Sequence, residues 1–297
     1  MNRIAWWLCL GLLCSQAMAW RVQDDRGRSV ELAQAPQRIV SILPSLTEMV
    51  CALDQCQRLV GVDRYATWPA SVRQLPQVGG GLDPHIEAIV ALRPDLVLAA
   101  ASTRATDRLW DLGIPVLSLE PQNHADVQRA FEKLGTVLGV ADAPRLWRQI
   151  DAAVSAAAQS LPPETRQTRV YFEVNQGPYG ASESSFIGET LTRLGVRNIV
   201  PARLGAFPQL NPEFVVRANP DVIMVVESSA NELMQRPGWR NLKAVREGRV
   251  CTFNPAESDV LVRPGPRLHE AARLMARCLA EKAPRTVVKT SAKEAKP

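Results

Sequence analysis

The chain has 297 residues, 35 Lys and Arg against 30 Asp and Glu, a formal charge of +5 and three histidines. A length of this order favours about two domains. Arg3 carries one unit of the charge and residues 281–297, with five Lys or Arg against two Glu, carry three more, so the body is near +1 and a basic face for nucleic acid is excluded.

Residues 1–19 combine Arg3, an apolar run over 4–13, and Ala17-Met18-Ala19 with small residues where a signal peptidase reads. A cleaved leader is expected, with Trp20 the first mature residue and the periplasm the destination. The run is far shorter than the ~20 residues that span a bilayer. Lipid anchoring at Cys14 is the alternative, but Leu12 and Leu13 precede it where small residues belong. Loss of the leader removes Cys9 and Cys14 and leaves Cys51, Cys56, Cys251 and Cys278, an even number that suggests disulfides in an exported chain. Of the three pairings, the one that keeps each bridge local joins Cys51 to Cys56 and Cys251 to Cys278. The first requires a helix to end between its cysteines, and Asp54-Gln55 is the expected stop. The absence of CxxC and the scarcity of histidine argue against a metal site.

Short apolar runs at residues 38–43, 96–100, 116–119, 170–174, 222–226 and 250–253 read as buried strands with helical patterns between them. The class is α/β, two Rossmann-like lobes with mainly parallel sheets. Residues 142–161 have no Gly, carry Pro only at Pro144 in the first turn, place apolar residues at helical spacing and stop at Pro162-Pro163. One rigid joining helix ~30 Å long is expected there. The organisation read from the sequence is a leader at 1–19, a lobe at 20–141, the joining helix at 142–163, a second lobe at 164–280 and a disordered tail at 281–297.

The two lobes share an internal repeat. Residues 87–102 align without gaps on residues 213–228 at an offset of 126, with Glu87 on Glu213, Pro94-Asp95 on Pro220-Asp221 and Ser102 on Ser228. Each copy reads as a helix, a Pro-Asp turn and a buried strand. First-turn acids such as Glu87 and Glu213 commonly complement a helix dipole; matched acids on matched lobes can equally grip a symmetric partner.

The string from Arg38 to Glu48 (Arg-Ile-Val-Ser-Ile-Leu-Pro-Ser-Leu-Thr-Glu), Leu59-Val-Gly-Val-Asp-Arg-Tyr65, Trp68-Pro69 and residues 89–97 resembles the helical-backbone solute-binding proteins of ABC importers, most of all their cobalamin-binding branch. The resemblance runs from about Arg38 to Ala280. It implies a monomer of two lobes around a cleft with a rigid joining helix, only a small closure on ligand binding, and no enzymatic activity or cofactor. It also implies docking of Glu87 and Glu213 on arginines of an inner-membrane permease dimer. Cleft positions of that branch fall on Tyr65, Tyr179, Phe207, Asp259 and Arg263, with Trp68 as a further candidate. Flat aromatic faces suit a corrinoid macrocycle, and Asp and Arg suit its amide fringe. A ferric siderophore or haem is the alternative ligand. A tryptophan expected near Gly79-Gly80-Gly81 is missing, as is a cysteine near Leu194, so the family's usual bridge to the position of Cys278 cannot form. The competing reading places Tyr65 and Phe207 in the core and makes Asp259 and Arg263 an i,i+4 surface pair.

Enzyme chemistry finds no support. The chain lacks a Gly-x-Ser-x-Gly elbow, a Walker loop, His-Glu-x-x-His and a dinucleotide fingerprint. His85, His124 and His269 are scattered without metal-ligand spacing.

Overall fold

The computed structural model describes residues 20–284; the leader and residues 285–297 of the expected tail lie outside the described residues. The described chain opens with an antiparallel hairpin, β1 (Trp20–Gln23) and β2 (Ser29–Leu32). The first lobe follows, with β3 (Ile39–Ser41), β4 (Leu59–Val62), β5 (Leu96–Ala99) and β6 (Val116–Ser118) all parallel in the order β4-β3-β5-β6. The second lobe holds β7 (Arg169–Asn175), β8 (Tyr179–Gly180), β9 (Arg197–Asn198), β10 (Val222–Val226) and β11 (Val250–Phe253). There β11, β10 and β9 run parallel to the β7 direction, and β8 alone is antiparallel to it. Helices cover both faces of such sheets, so their inner strands are largely apolar; every residue of β5 and β10 is buried.

The internal repeat has a mechanical meaning. The helices Ile86–Ala91 and Pro212–Ala218 are followed by residues of left-handed backbone, Arg93 and Asn219, each at φ 45° and 126 positions apart. Asp95 then accepts hydrogen bonds from the backbone N–H of Gln37 (2.8 Å) and Arg38 (2.9 Å), and Asp221 accepts from Arg169 N–H (3.1 Å). In return, Arg38 donates from Nε to Arg93 O (3.1 Å), and Arg169 from Nη1 to Asn219 O (3.5 Å). Each aspartate thus pins the start of its lobe's central strand to the neighbouring strand, which is why Pro-Asp recurs.

The joining helix spans Ala143–Gln159, 17 residues, or ~25 Å at 1.5 Å per residue, somewhat shorter than the sequence suggested. Its buried face, Trp147, Ile150, Val154 and Ala157, packs on the helices His124–Leu138 and Leu268–Lys282. The last of these runs two residues into the expected tail. One continuous core results: Leu46 and Met49 of the first lobe, Ile150 of the joining helix, and Phe172 and Met275 of the second lobe belong to the same buried cluster.

Both local disulfides are present. Cys51 bridges Cys56 with Cα atoms 4.2 Å apart. The helix Pro44–Ala52 ends between them, where Asp54 turns left-handed at φ 58°. Cys251 on β11 bridges Cys278 on the last helix, and Leu194 is buried in the same cluster as Cys278.

Candidate functional site

Segments leaving the carboxyl ends of both sheets meet between the lobes, the position where open α/β sheets bind ligands. On the first lobe, Asp63 follows β4 and is buried; its N–H bonds Ser41 O at 2.8 Å, and its Oδ1 accepts from Tyr65 N–H at 2.6 Å. Burial pushes the Asp63 carboxyl up, against the pull of the Tyr65 and Gly81 amides. This tight turn projects the Tyr65 ring outward, 61% exposed. Arg64 lies with Cζ 5.8 Å from the Tyr65 ring centroid and pairs with Asp83.

Glycine is required under this arrangement. A Cβ on Gly79, which sits at φ +92°, would stand 2.5 Å from Asp83 O, and one on Gly80 would stand 2.9 Å from Asp83 Oδ1. The backbone obstacle and left-handed φ make glycine necessary at Gly79, whereas the contact at Gly80 is with a mobile carboxylate tip and Gly81 meets nothing closer than 3.4 Å.

On the second lobe, Tyr179 lies half-buried on β8 and bridges Gln209. Phe207 is 37% exposed and meets Phe186 edge-on at 5.8 Å. A depression of ≈ 470 Å³ opens at the ends of β7, β10 and β11, lined by Val174, Val226, Glu227, Ser228, Asn231 and Asp259 among others. Deeper in this lobe, Glu173 is fully buried and takes two bonds from Arg236, at 2.6 and 2.8 Å, and one from Tyr171 Oη at 3.0 Å.

The structure places Asp259 and Arg263 differently from a simple i,i+4 surface pair. Arg263 is 8% exposed. Its Nη1 donates to Glu48 Oε1 (2.9 Å) and Thr67 Oγ1 (3.0 Å), its Nη2 donates to Tyr65 O (2.9 Å), and Asp259 Oδ2 lies 2.7 Å from Nη2. Asp259 Oδ2 also accepts from Thr67 Oγ1 at 2.8 Å. Arg267 adds Nε and Nη2 bonds to Glu48 at 2.9 and 2.5 Å. Two carboxylates and two guanidiniums therefore bind the Tyr65–Thr67 turn of one lobe to the other lobe. Both terminal nitrogens of Arg263 are committed inside this network, whereas Asp259 still faces the 470 Å³ depression.

Trp68 was a cleft candidate, but it lines a separate depression of ≈ 420 Å³ against the joining helix, with Leu146, Ile150 and His269. The Arg267 guanidinium lies over its ring at 5.3 Å. Glu48, 1% exposed, escaped sequence reasoning, because an acid within the first helix carries no sign of partners 215 and 219 residues away.

A second junction lies at His124. Its Nε2 stands 2.9 Å from Thr190 Oγ1 and 3.2 Å from Phe186 O, and its Nδ1 stands 3.1 Å from Arg193 Nη1. Arg193 also pairs with Asp151 of the joining helix at 2.6 Å. Burial holds the imidazole below its ordinary value; Arg193 acts in the same direction, while Glu189 and Asp151 oppose it.

Glu87 and Glu213 stand exposed in the first turns of the two repeat helices. Among the described residues, Glu213 forms one ion pair, with Arg217 at 3.8 Å, with both side chains more than 70% exposed, a contact of little energetic weight. Among the described residues, no group of three or more His, Cys, Asp or Glu could hold a metal ion, and no helix is long and apolar enough to cross a membrane.

Comparison with known proteins agrees with a two-lobed binding fold. Residues 39–256 match the periplasmic binding protein family. An uncharacterized ABC transporter substrate-binding lipoprotein, YvrC of Bacillus subtilis (strain 168), is 30% identical over 268 residues, covering 86% of this chain and 83% of that one. A cobalamin-binding protein of Halobacterium salinarum (strain ATCC 29341 / DSM 671 / R1) is 29% identical over 269 residues, 85% of this chain and 72% of the relative. Among solved structures, the periplasmic heme-binding protein BhuT in complex with two hemes superposes with a TM-score of 0.71 at 25% identity, covering 82% of this chain and 98% of that one. The chain belongs to the periplasmic binding protein family. It is an extracytoplasmic substrate-binding protein that serves an ABC transporter, and it is not an enzyme.

Proposed function

We propose that the chain binds a corrinoid, cobalamin or a close relative, in the crevice between its lobes and delivers it to an ABC importer. The observation that carries this reading is the exposed Tyr65 ring, 61% accessible on a turn held rigid by Asp63 and Arg263, with Phe207 and Tyr179 on the opposite lobe. Aromatic faces left open at strand ends offer flat apolar area to a macrocycle, and the Asp259 carboxylate can accept from its amide fringe. The cobalamin-binding relative supports the same ligand. Haem is the second reading, supported by the likeness to BhuT. The leader at residues 1–19 supports export to the periplasm. Glu87 and Glu213, exposed and matched by the repeat, are the proposed contacts to a symmetric permease. The test is the absorption spectrum and mass of the ligand that copurifies with the exported protein. A corrin supports the reading; a haem or a ferric siderophore overturns it.

A further inference from the structure

Two arginines contact the Tyr65 turn, Arg263 and Arg64, and their surroundings differ in kind. Arg263 is 8% exposed with both terminal nitrogens bonded, to Glu48, Asp259, Thr67 and the Tyr65 carbonyl. Turning it toward a ligand would take from the buried Glu48 carboxylate one of its two cationic partners, leaving Arg267 alone, and would release Thr67 and the Tyr65 carbonyl, a cost for groups held away from water. The side chain of Arg64 is 36% exposed, and its ionic partner, Asp83, is 64% exposed. An ion pair this open exchanges partners at little cost. Arg64 already lies on the Tyr65 ring, 5.8 Å from its centroid, within the range of cation–π attraction. A Cβ on the neighbouring Gly80 would crowd Asp83 Oδ1 at 2.9 Å and touch Arg64 Nε and Tyr65 Cε2 at an ordinary 3.5 Å, which places Gly80 against the Arg64–Asp83 pair and the Tyr65 ring. A flat ligand on the free face of Tyr65, or one that slides the guanidinium aside, brings its margin to Arg64.

We infer that Arg64, and not Arg263, is the cation that meets the ligand, and that the ligand carries an anionic oxygen group, a phosphodiester or a carboxylate, on the edge that rests against the first lobe. Arg64 is then a specificity-determining residue, Asp83 is the internal anion that holds its place in the empty crevice, and Arg263 is a positioning residue that acts through the Tyr65 carbonyl. The inference rests on the corrinoid reading only for the choice of two of its three probes.

The test is calorimetric titration of the exported chain, from Trp20 onward, with cyanocobalamin, which carries one phosphodiester, with cobinamide, which carries none, and with haem, which carries two carboxylates. Arg64→Met should weaken whichever anionic probes bind by about tenfold, the scale of a charge-assisted hydrogen bond, and leave cobinamide within about threefold. Loss for cyanocobalamin identifies a phosphodiester contact; loss for haem identifies a carboxylate contact. Asp83→Asn should strengthen binding of the same probes, because the arginine loses its competitor, a gain that a purely structural role does not produce. Equal weakening of all three probes by Arg64→Met, or none, overturns the inference. So does Arg263→Lys if it keeps the thermal transition and selectively loses the anionic probes. Arg64-dependent haem binding without corrinoid binding would sustain the inference and sink the corrinoid reading; no binding of any probe sinks both.

Discussion

Glu48→Gln is the most informative single substitution in the interlobe network. The carboxylate is 1% exposed and receives three hydrogen bonds from two guanidiniums whose side chains are each 9% exposed. The amide keeps the volume and one acceptor oxygen, but it turns an N–H₂ group toward an arginine and leaves two buried cations with Asp259 as the one remaining anion. Breaking a buried pair in this way costs about 3–5 kcal/mol. A chain of this size loses roughly 2 °C of melting temperature per kcal/mol, so a fall of roughly 6–10 °C is expected in a circular-dichroism melt. A combined Glu48→Leu, Arg263→Met and Arg267→Met variant should recover most of that loss, because it leaves no deeply buried charge unpaired; Asp259, with its side chain 35% exposed, keeps its bond from Thr67 and its access to water. A shift under about 2 °C for Glu48→Gln, or no recovery in the triple variant, would refute the claim that a desolvated ion cluster couples the lobes.

Tyr65→Ala and Phe207→Ala should each weaken corrinoid binding by roughly tenfold through lost stacking, while the melt of the unliganded protein moves by no more than a degree or two; a large drop in melting temperature would mark the residue as core. Glu87→Lys with Glu213→Lys should abolish vitamin uptake and leave ligand affinity unchanged, because like charges would meet across the docking surface; normal uptake by the folded, ligand-binding double variant removes the docking role. His124 should make the protein acid-sensitive. Burial keeps its folded value below 6.5, so the unfolded chain takes up the extra proton, and stability, full above pH 6.5, declines as the pH falls below it by at most about 1.4 kcal/mol per pH unit. His124→Gln should flatten that decline, and superimposable stability-against-pH curves for the two proteins would count against it.

Much of the architecture is legible in the sequence because its signals are local. The apolar runs that became β3, β5, β6 and β10 are buried on both faces and carry no polar alternation to confuse them, and β7 and β11 still read as strands from short apolar runs although Arg169, Asn175 and Thr252 are exposed. The joining helix shows itself by Pro144, its apolar spacing and the Pro162-Pro163 stop. The Pro-Asp turns of the repeat are visible, but their bonds to Arg38 and Arg169 are long-range and had to be seen. The β1–β2 hairpin escaped because four-residue strands such as Trp20–Gln23 expose half their side chains and read as polar loop; β8 and β9, two residues each, are too short to leave a pattern. In the site, Tyr65 and Phe207 are exposed and not packed in the core. The surroundings of Trp68 and Arg263 were not legible, for one reason. Their partners, Arg267 and Glu48, lie about 200 residues away in sequence, and no spacing rule reaches across two lobes.

The central claim is that the crevice takes a corrinoid, and calorimetry of the exported protein with cyanocobalamin, cobinamide, haem and a ferric hydroxamate tests it most directly. The account predicts tight binding of a corrinoid, with haem and the hydroxamate weak or silent. Tight binding of haem or the hydroxamate, with both corrinoids silent, would contradict it.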